Sequence, residues 1–419
     1  MRDHSHHVEV SRDEAAQALL DHAHFEPKTE ILSVFEAGNR VLAKDVYSKV
    51  EVPNARSCRM DSVAVHWKDF KDGMPDTRGW KKGIDWEFAN TGVAMPEGFD
   101  TAIVIEHVTL SDDLSEISFA APPSAQYVGT SEAGSKLNLD SVLAQKHQRL
   151  TPLLLSAILS GNVREIEVLK KPRIAFIPTG NELVHAQDSI PLGKNIETNS
   201  LLISEKIRNW GGEPVVWDIV KDDHDEIKQA VKDACEQCDI VVLNAGSSKG
   251  SDDWNVEMLE EIGTILYHQV CHGPGHHSFG AVVDGKVIVG ISGPPGGAAF
   301  TTDFYLYPLM MKYFNQDIFM KKLQVRLVED FPAGGPGKPS KPKKLYGEDR
   351  PSVVEPGGRF WSVKQLRLAL ADDGVLEAYP ADGVHLAPLV ANEMHAYYMA
   401  DVMKDLPKAG DMIEVDLRP

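Results

Sequence analysis

A loop rich in glycine, serine and carboxylates lies near the middle of the chain, in the segment DIVVLNAGSSKGSDDW at 239–254. Its apolar run ends at Asn244, and the loop leads to Asp252 and Asp253, where a helical pattern begins. Unpaired backbone N–H groups at such a helix start favour anions, and carboxylates beside them can hold Mg²⁺, which itself binds phosphates. The segment therefore predicts a site for a phosphate-bearing ligand and a metal ion.

Three further turns with similar chemistry follow predicted strands. They are the segments PTGNE at 178–182, DD at 222–223 and GISGPPGG at 290–297. Each alone is also explained as an ordinary turn or a helix cap, but four such turns at one edge of a sheet favour a ligand site. The residues in these three turns that offer a hydroxyl, a carboxylate or a flexible backbone are Thr179, Gly180, Glu182, Asp222, Asp223 and Gly293.

Histidines and cysteines form two other motifs. The run CHGPGHH at 271–277 lies in a Gly-Pro loop, which lacks the rigid spacing that zinc sites prefer, so we expect His276 to contact a phosphate or oxyanion. Cys235 and Cys238 form a CxxC, but they end a predicted helix and share its apolar face. Redox CxxC motifs instead lie at a helix N-terminus, so we expect both cysteines to be buried and structural.

The composition narrows the class of protein. The 419 residues carry 43 Lys and Arg against 62 Asp and Glu, a net charge of −19. This acidic balance argues against a nucleic-acid binder, which usually presents a basic face. Apolar runs are too short to cross a bilayer, and the polar N-terminus lacks a secretory signal. We therefore expect a cytoplasmic protein of two to four domains that binds neither nucleic acid nor membrane.

Strand and helix patterns alternate from 171 to about 315, which predicts a doubly wound, mostly parallel α/β sheet. Short strands and frequent turns dominate 46–146, whereas helices are predicted at 11–24, 31–42 and 149–162. A Pro- and Gly-rich stretch at 332–358 predicts a linker. The predicted domains are a discontinuous helical linker domain at 1–45 and 147–170, a β-rich domain at 46–146, an α/β domain at 171–320 and a C-terminal β domain at 321–419.

These motifs, taken in order, resemble the molybdopterin molybdotransferases, the family of MoeA and the gephyrin E domain, over most of the chain. SCRMDSVAV at 57–65 resembles its N-S-x-M-D-G-Y-A-V, and Thr91-Gly92 begins a match to T-G-x-x-x-P-x-G. PTGNEL resembles S-T-G-D-E-L, and NAGSSKGSDDW resembles S-G-G-V-S-x-G-x-x-D-Y. GISGPPGG resembles G-L-P-G-N-P-V-S, and Glu197-Thr198-Asn199 resembles its D-[ST]-N helix start.

The resemblance implies an elongated four-domain homodimer in which adenylated molybdopterin and molybdate, or tungstate, bind in a cleft at the dimer interface. It implies that Mg²⁺-assisted loss of AMP leaves the metal on the dithiolene. A molybdopterin adenylyltransferase or an apo-molybdoenzyme is the implied partner protein. The residues implied for the cleft are the catalytic carboxylates Glu182, Asp223 and Asp253, the last two as Mg²⁺ ligands, and the pterin-binding Thr91, Thr179, Gly180, Asp222, Gly246, Ser248, Lys249, Gly250, His276 and Gly293.

Several charged family positions differ in this chain. The acidic residue of the family's D-N-S is Arg56, and an acidic pair aligns with Ser135 and Lys136. Gly273 and His276 stand at two positions, in and beside the family's P-G-K-P loop, where the family has lysines. These substitutions leave a second hypothesis open, a catalytically impaired paralogue that binds molybdopterin or delivers cofactor. If the chain is instead an active molybdotransferase, we expect Lys249, Arg56 and Lys136 to supply the positive charge that the two lost lysines would have provided.

Overall fold

The computed structural model describes residues 10–245, 252–332, 360–381 and 394–419. The chain divides into two compact units, Thr29–Leu169 on the one hand and Met1–Lys28 with Lys170–Pro419 on the other. The first helix, α1 (Arg12–His22), groups with the second unit. The Ser-x-x-Glu pattern at Ser11 and Glu14 predicts a capping box. It is confirmed, because the Ser11 side chain accepts from the Glu14 N–H and the Glu14 carboxylate accepts from the Ser11 N–H. The division into four domains stays a prediction.

The Thr29–Leu169 unit is rich in short strands, as the turn-dense sequence predicts. They form small antiparallel sheets, the largest being the three-stranded β5-β4-β6. Short 3-10 helices lie at Val34–Glu36, Trp67–Phe70 and Ile105–His107. The elements are β1 (Thr29–Ser33), β2 (Val46–Tyr47), β3 (Ser57–Cys58), β4 (Ser62–Val65), β5 (Trp86–Ala89), β6 (Thr101–Val104), β7 (Val108–Leu110), β8 (Ile117–Phe119), β9 (Thr130–Ser131), β10 (Val142–Ala144), α2 (Pro152–Ser160) and β11 (Glu165–Leu169).

The prediction of a helix at 31–42 is wrong, because β1 and a short 3-10 helix begin this segment. The helix predicted at 149–162 is confirmed as α2. Strand β1 pairs antiparallel with β11, so Thr29 lies opposite Leu169 and Ser33 lies opposite Glu165. Because these partners are more than a hundred residues apart, a local apolar pattern could not reveal the pairing. Asn39, with a φ of 61°, then reverses the chain where the helix was expected.

After Lys170 the second unit contains an α/β domain, and its main strands and helices alternate as the sequence predicts. A π-helix at Thr302–Leu306 connects its last two helices. Among the described residues, no helix is long and apolar enough to span a membrane. The elements are β12 (Arg173–Pro178), β13 (Leu183–Val184), β14 (Asn195–Ile196), α3 (Asn199–Asn209), β15 (Glu213–Val216), α4 (His224–Gln237), β16 (Ile240–Ala245), α5 (Asp252–Ile262), β17 (Gly263–His268), β18 (His272–Gly273), β19 (Phe279–Val283), β20 (Lys286–Ser292), α6 (Pro295–Thr301) and α7 (Tyr307–Tyr313).

The main sheet has the order β15-β12-β16-β20-β19-β17 and is mixed. The first four strands are parallel, whereas β19 pairs antiparallel with both β20 and β17. Strand β19 was missed from the sequence. Its hairpin to β20 turns at Asp284-Gly285, and both residues have positive φ, 49° and 74°. Asp-Gly is the usual signal for a two-residue hairpin. This turn therefore indicated that the sheet contains an antiparallel pair of strands.

Helices pack on the sheet and bury its apolar strands. Ile227, Val231 and Ala234 of α4 share one core with Leu259 of α5 and with Val241 of β16. On α4, Asp223 acts as the N-cap, with its carboxylate accepting from the N–H groups of Asp225 and Glu226.

The CxxC cysteines belong to the same core, as predicted. Cys235 is 3% and Cys238 4% exposed. Burial raises the pKa of the Cys235 thiol to about 12 and that of Cys238 to about 11. Since the thiolate is the reactive form, the raised pKa values and the burial favour a structural role for both cysteines.

The C-terminal strands close into a β-barrel. Strand β22 pairs with β23 and β24, β25 pairs with β24 and β21, and β21 pairs with β23. Val325, Leu366 and Ile413 lie in its core. Strand β18 of the α/β domain adds to the end of β22, with His272 opposite Trp361. The barrel strands are β21 (Lys322–Leu327), β22 (Trp361–Leu370), β23 (Leu376–Ala381), β24 (Ala396–Asp401) and β25 (Met412–Leu417).

A buried carboxylate joins the α/β domain to this barrel. Asp303, in the π-helix, has no exposed surface and accepts hydrogen bonds from Lys206 of α3 and Tyr397 of β24. The Arg418 guanidinium lies 3.6 Å from the same carboxylate. Burial lowers the pKa of Lys206, and Asp303 opposes that shift. The shared Asp303 charge therefore adds to the β18–β22 pairing in fixing the barrel to the α/β domain.

Replacing Asp303 tests how much its carboxylate contributes to the stability of the fold. Asp303→Asn leaves the Lys206 ammonium buried beside a neutral amide, and an unpaired buried charge is costly. We expect the free energy of unfolding to fall by about 3–5 kcal/mol, measured by urea denaturation. Glu414→Gln is the matched control, because the Glu414 pair with Lys322 is half-exposed and exposed pairs contribute little. Equal stability of both variants would contradict the assigned role.

Candidate functional site

Three parallel strands bring the predicted turns to one edge of the sheet. Pro178 of β12 lies opposite Asn244 of β16, and Asn244 lies opposite Ile291 of β20. The fourth turn reaches the same edge, because Thr179 forms a parallel bridge with Val220. The sequence prediction that these turns share the carboxyl edge is therefore confirmed for every turn that the structure describes.

The first turn is held by backbone and hydroxyl contacts. The N–H and the hydroxyl of Thr179 both donate to the Asn244 carbonyl, at 3.2 and 2.9 Å. The Gly180 N–H donates to the Val220 carbonyl at 3.1 Å. Gly180 has a φ of +149°, and a Cβ there would lie 2.8 Å from a Glu182 carboxylate oxygen. A larger residue at 180 would have a strained backbone and would displace the Glu182 carboxylate from its place over this turn.

The carboxylates at 222–223 have defined contacts. The Asn181 N–H donates to Asp222 Oδ2 at 3.0 Å, and the Asp222 N–H donates to Asn181 Oδ1 at 3.3 Å. Asp223 Oδ1 accepts from the N–H groups of Asp225 and Glu226, both at 3.0 Å. Among the described residues, no hydrogen bond reaches Asp223 Oδ2. Asp223 is thus a helix cap, which is the alternative explanation that the sequence left open for this turn. Its Oδ2 remains for a ligand.

These carboxylates fit the chemistry of Mg²⁺. The described residues contain no group of three or more His, Cys, Asp or Glu side chains arranged to hold a metal. Mg²⁺, however, commonly takes one or two carboxylates and completes its shell with water and phosphate oxygens. Asp222 and Asp223 supply such oxygens at an exposed edge.

Two buried asparagine amides connect neighbouring strand ends along this edge of the sheet. Asn199, the first residue of α3, donates through Nδ2 to Asn244 Oδ1 and to the Gly293 carbonyl, both at 2.7 Å. Asn199 is 5% and Asn244 3% exposed. Sequence reasoning named Asn199 in a helix-start motif and Asn244 at a strand end, but it assigned neither asparagine nor Ser292 to the site. Their signal was a polar residue at the end of an apolar strand or at a helix start.

The loop that carries Gly273 and His276 packs on helix α6. A Cβ on Gly275 would lie 2.6 Å from the Thr301 methyl group. His276 Nδ1 lies 2.6 Å from the Val270 carbonyl and therefore donates to it. The predicted contact of His276 with a phosphate stays a prediction, and it concerns the other ring nitrogen.

His272 fixes the start of this loop. Its Nδ1 lies 3.1 Å from the Pro274 carbonyl, which can only accept, so Nδ1 carries the hydrogen and Nε2 accepts from Tyr305 at 2.7 Å. The side chain has no exposed surface. Burial lowers the pKa of His272 to about 4.

Thr91 and Arg56 lie in the Thr29–Leu169 unit. The Thr91 N–H and hydroxyl both donate to Asp61 Oδ1, at 2.8 and 2.9 Å. These hydrogen bonds lower the pKa of Asp61. The Arg56 guanidinium contacts Glu132 at 3.0 Å and lies 4.0 Å from the centre of the Tyr127 ring. Arg56 is thus already paired, which weighs against the idea that its charge replaces the missing lysines.

Part of the predicted site lies outside the described residues. Asp253 belongs to the first turn of α5, but its side chain is not among the described ones. The assignment of Thr91 to the ligand cleft also stays a prediction, as does a compensating role for Lys136. The predicted residues outside the described ranges are Gly246, Ser248, Lys249 and Gly250.

Two family models match the chain. Residues 10–161 match the MoeA N-terminal region (domain I and II), and residues 175–312 match a probable molybdopterin binding domain. The second match contains the four turns described above.

Similar proteins and structures agree with these matches. A Haemophilus influenzae protein named molybdopterin molybdenumtransferase is 25% identical over 323 residues, covering 74% of this chain and 80% of that protein. A Staphylococcus aureus protein of the same name is 26% identical over 316 residues, covering 71% and 75%. The crystal structure of a molybdopterin biosynthesis MoeA protein from Pyrococcus horikosii has a TM-score of 0.74 at 19% identity, covering 98% of this chain and 99% of that one. This last likeness shows that the fold is shared.

The buried His272 predicts a defined loss of stability in acid. The unfolded chain binds the proton near pH 6.5, whereas the folded protein binds it near pH 4. The free energy of unfolding should therefore fall as the pH drops from 6.5 towards 4, by roughly 3 kcal/mol from this group. His272→Gln should lose that part of the pH dependence. Urea midpoints measured from pH 7.5 to 4.5 test this, and parallel profiles for the two proteins would refute it.

Proposed function

The chain belongs to the MoeA family, and on that premise we propose that it inserts molybdate, or tungstate, into adenylated molybdopterin with release of AMP. The observation that carries the proposal is the meeting of Glu182, Asp222 and Asp223 with glycine turns at the carboxyl edge of the sheet. That edge lies within the residues matched to a probable molybdopterin binding domain. Ligands of α/β sheets bind at this edge.

The carboxylates and the turns have separate parts in the proposed reaction. Asp223, through Oδ2, and Asp253 are the proposed Mg²⁺ ligands. Mg²⁺ bound there would offset negative charge on the phosphate that leaves with AMP. The Glu182 carboxylate, folded over Gly180, faces the same edge and completes the acidic set. The turn residues Thr179, Gly180 and Gly293 orient the ligand, because each lies where a strand ends beside its neighbour.

The assembly is part of the proposal. We expect a homodimer, and a molybdopterin adenylyltransferase or an apo-molybdoenzyme as the partner that supplies the adenylated pterin or receives the product. The implied pterin-binding role of Ser248, Lys249 and Gly250 belongs to the same proposal.

A second candidate function is supported by the changed charges. Gly273 and His276 stand where the family has lysines, and His276 donates to a backbone carbonyl. Arg56, at an acidic family position, is paired with Glu132. A site with fewer mobile cations stabilises a departing phosphate less well. This candidate is a paralogue that binds molybdopterin or delivers cofactor without catalysis.

Binding and turnover measured together separate the two candidates. The purified protein is incubated with adenylated molybdopterin, molybdate and Mg²⁺, and AMP release is followed by chromatography. Binding of the adenylated pterin is measured in parallel by calorimetry. Binding with AMP release supports the enzyme, and binding without it supports the paralogue. Absence of binding rejects both.

Neighbouring carboxylates at the start of α5 allow a matched test of the metal site. Asp253→Asn should lower the rate of AMP release by about a hundredfold or more, because a lost metal ligand removes charge stabilisation from the departing phosphate. Asp252→Asn removes the same charge one residue earlier and should leave the rate within a few-fold of normal. Equal rates for the two variants would remove Asp253 from the mechanism. Circular dichroism checks that both are folded.

A further inference from the structure

Two buried polar atoms at the carboxyl edge have no hydrogen-bond partner among the described residues. They are Asn199 Oδ1 and Ser292 Oγ, on side chains that are 5% and 6% exposed as whole residues. Leaving a buried acceptor unpaired costs on the order of 1–3 kcal/mol. Such atoms are uncommon in folded proteins and call for a specific explanation. Both adjoin the turn at Gly293.

The orientation of the Asn199 amide is fixed by its other contacts. Both hydrogens of Nδ2 are used, one towards Asn244 Oδ1 and one towards the Gly293 carbonyl. Reversing the amide would place Oδ1 against the Gly293 carbonyl, which can only accept. Oδ1 is therefore held as an acceptor on the opposite side of the amide.

The Ser292 hydroxyl lies close against Gly297. A Cβ built on Gly297 would lie 2.1 Å from Ser292 Oγ and 3.5 Å from the backbone nitrogen of Gly275. Any larger residue at 297 would push the serine hydroxyl aside. Ser292 also directly precedes Gly293, whose carbonyl Asn199 binds, so the two unpaired oxygens flank one short stretch of backbone.

We propose that Asn199 Oδ1 and Ser292 Oγ form a subsite for the N–H edge of a nitrogen heterocycle, such as a pterin or a purine. Asn199 Oδ1 can only accept, and Ser292 Oγ can accept as well as donate, so the pair suits ring N–H groups and leaves the phosphate to the carboxylate-bound metal and the backbone N–H groups. Pterins and purines carry amine and ring N–H donors that match such acceptors. The inference rests on the proposed function and deepens it, because it assigns the ring and the phosphate to different turns.

Probes that separate ring from phosphate test this assignment. Calorimetric titrations use pterin and adenosine as heterocycles without phosphate, and inorganic pyrophosphate in the presence of Mg²⁺ as phosphate without a ring. Asn199→Ala and Ser292→Ala should each raise the dissociation constant of at least one heterocycle about tenfold, the effect of one lost hydrogen bond. Pyrophosphate binding should not change. Ser204→Ala is the control, since Ser204 is equally buried in α3 but lies further along the helix.

A third variant separates a subsite from general disturbance of the turn. Gly297→Ala keeps Asn199 and Ser292, but its methyl group would displace the serine hydroxyl, so it should weaken binding of the same heterocycle. Unchanged heterocycle binding in Asn199→Ala and Ser292→Ala would overturn the proposal. Equal weakening of pyrophosphate would overturn it too, because the two residues would then only support the turn.

The outcomes distinguish this inference from the proposed reaction. A wild-type protein that binds heterocycle through Asn199 but releases no AMP would reject the reaction alone. A wild-type protein that releases AMP, with an unchanged KM for adenylated molybdopterin in Asn199→Ala and Ser292→Ala, would reject the subsite alone. A wild-type protein that binds neither heterocycle also rejects the subsite.

Discussion

The parallel register of β12, β16 and β20 is the constraint on which the candidate site depends. Backbone pairing places Pro178, Asn244 and Ile291 side by side, so each strand delivers its turn to the same edge. Side chains of one turn can therefore form hydrogen bonds with the next turn. Thr179 spans one strand gap and Asn199 the next. A shift of any one strand would separate these groups, because successive residues of a strand face opposite sides of the sheet.

Charge is distributed unevenly around this edge. Carboxylates remain at the turns, whereas the cationic positions expected opposite them carry a glycine and a histidine whose Nδ1 is bound to the backbone. Within the separate Thr29–Leu169 unit, Arg56 is held by Glu132 and Tyr127. In a chain with a net charge of −19, the proposed Mg²⁺ and the backbone N–H groups would offset part of the negative charge at this edge.

Local signals made much of this structure predictable from the sequence. The capping residues Ser11 and Asp223 marked helix starts correctly, since a cap acts within four residues of its helix. The buried CxxC followed from the apolar face of α4. Pairing between distant segments was not predictable, and β1 was mistaken for a helix for that reason. Within the site, strand ends were readable, but the bridging role of Asn199 depends on three segments that meet only in the folded chain.

Strand β18 ties the histidine loop to the barrel. His272 and Gly273 pair with Trp361 and Ser362 of β22, and the Trp361 N–H donates to the Cys271 carbonyl at 2.9 Å. The loop therefore takes its path from a strand about ninety residues later in the chain. Exchanging the barrel for that of a relative would alter this loop even if every loop residue were kept. The histidine loop and the barrel are therefore structurally coupled, and a chimaera that exchanges the barrel should keep the β18–β22 contacts matched.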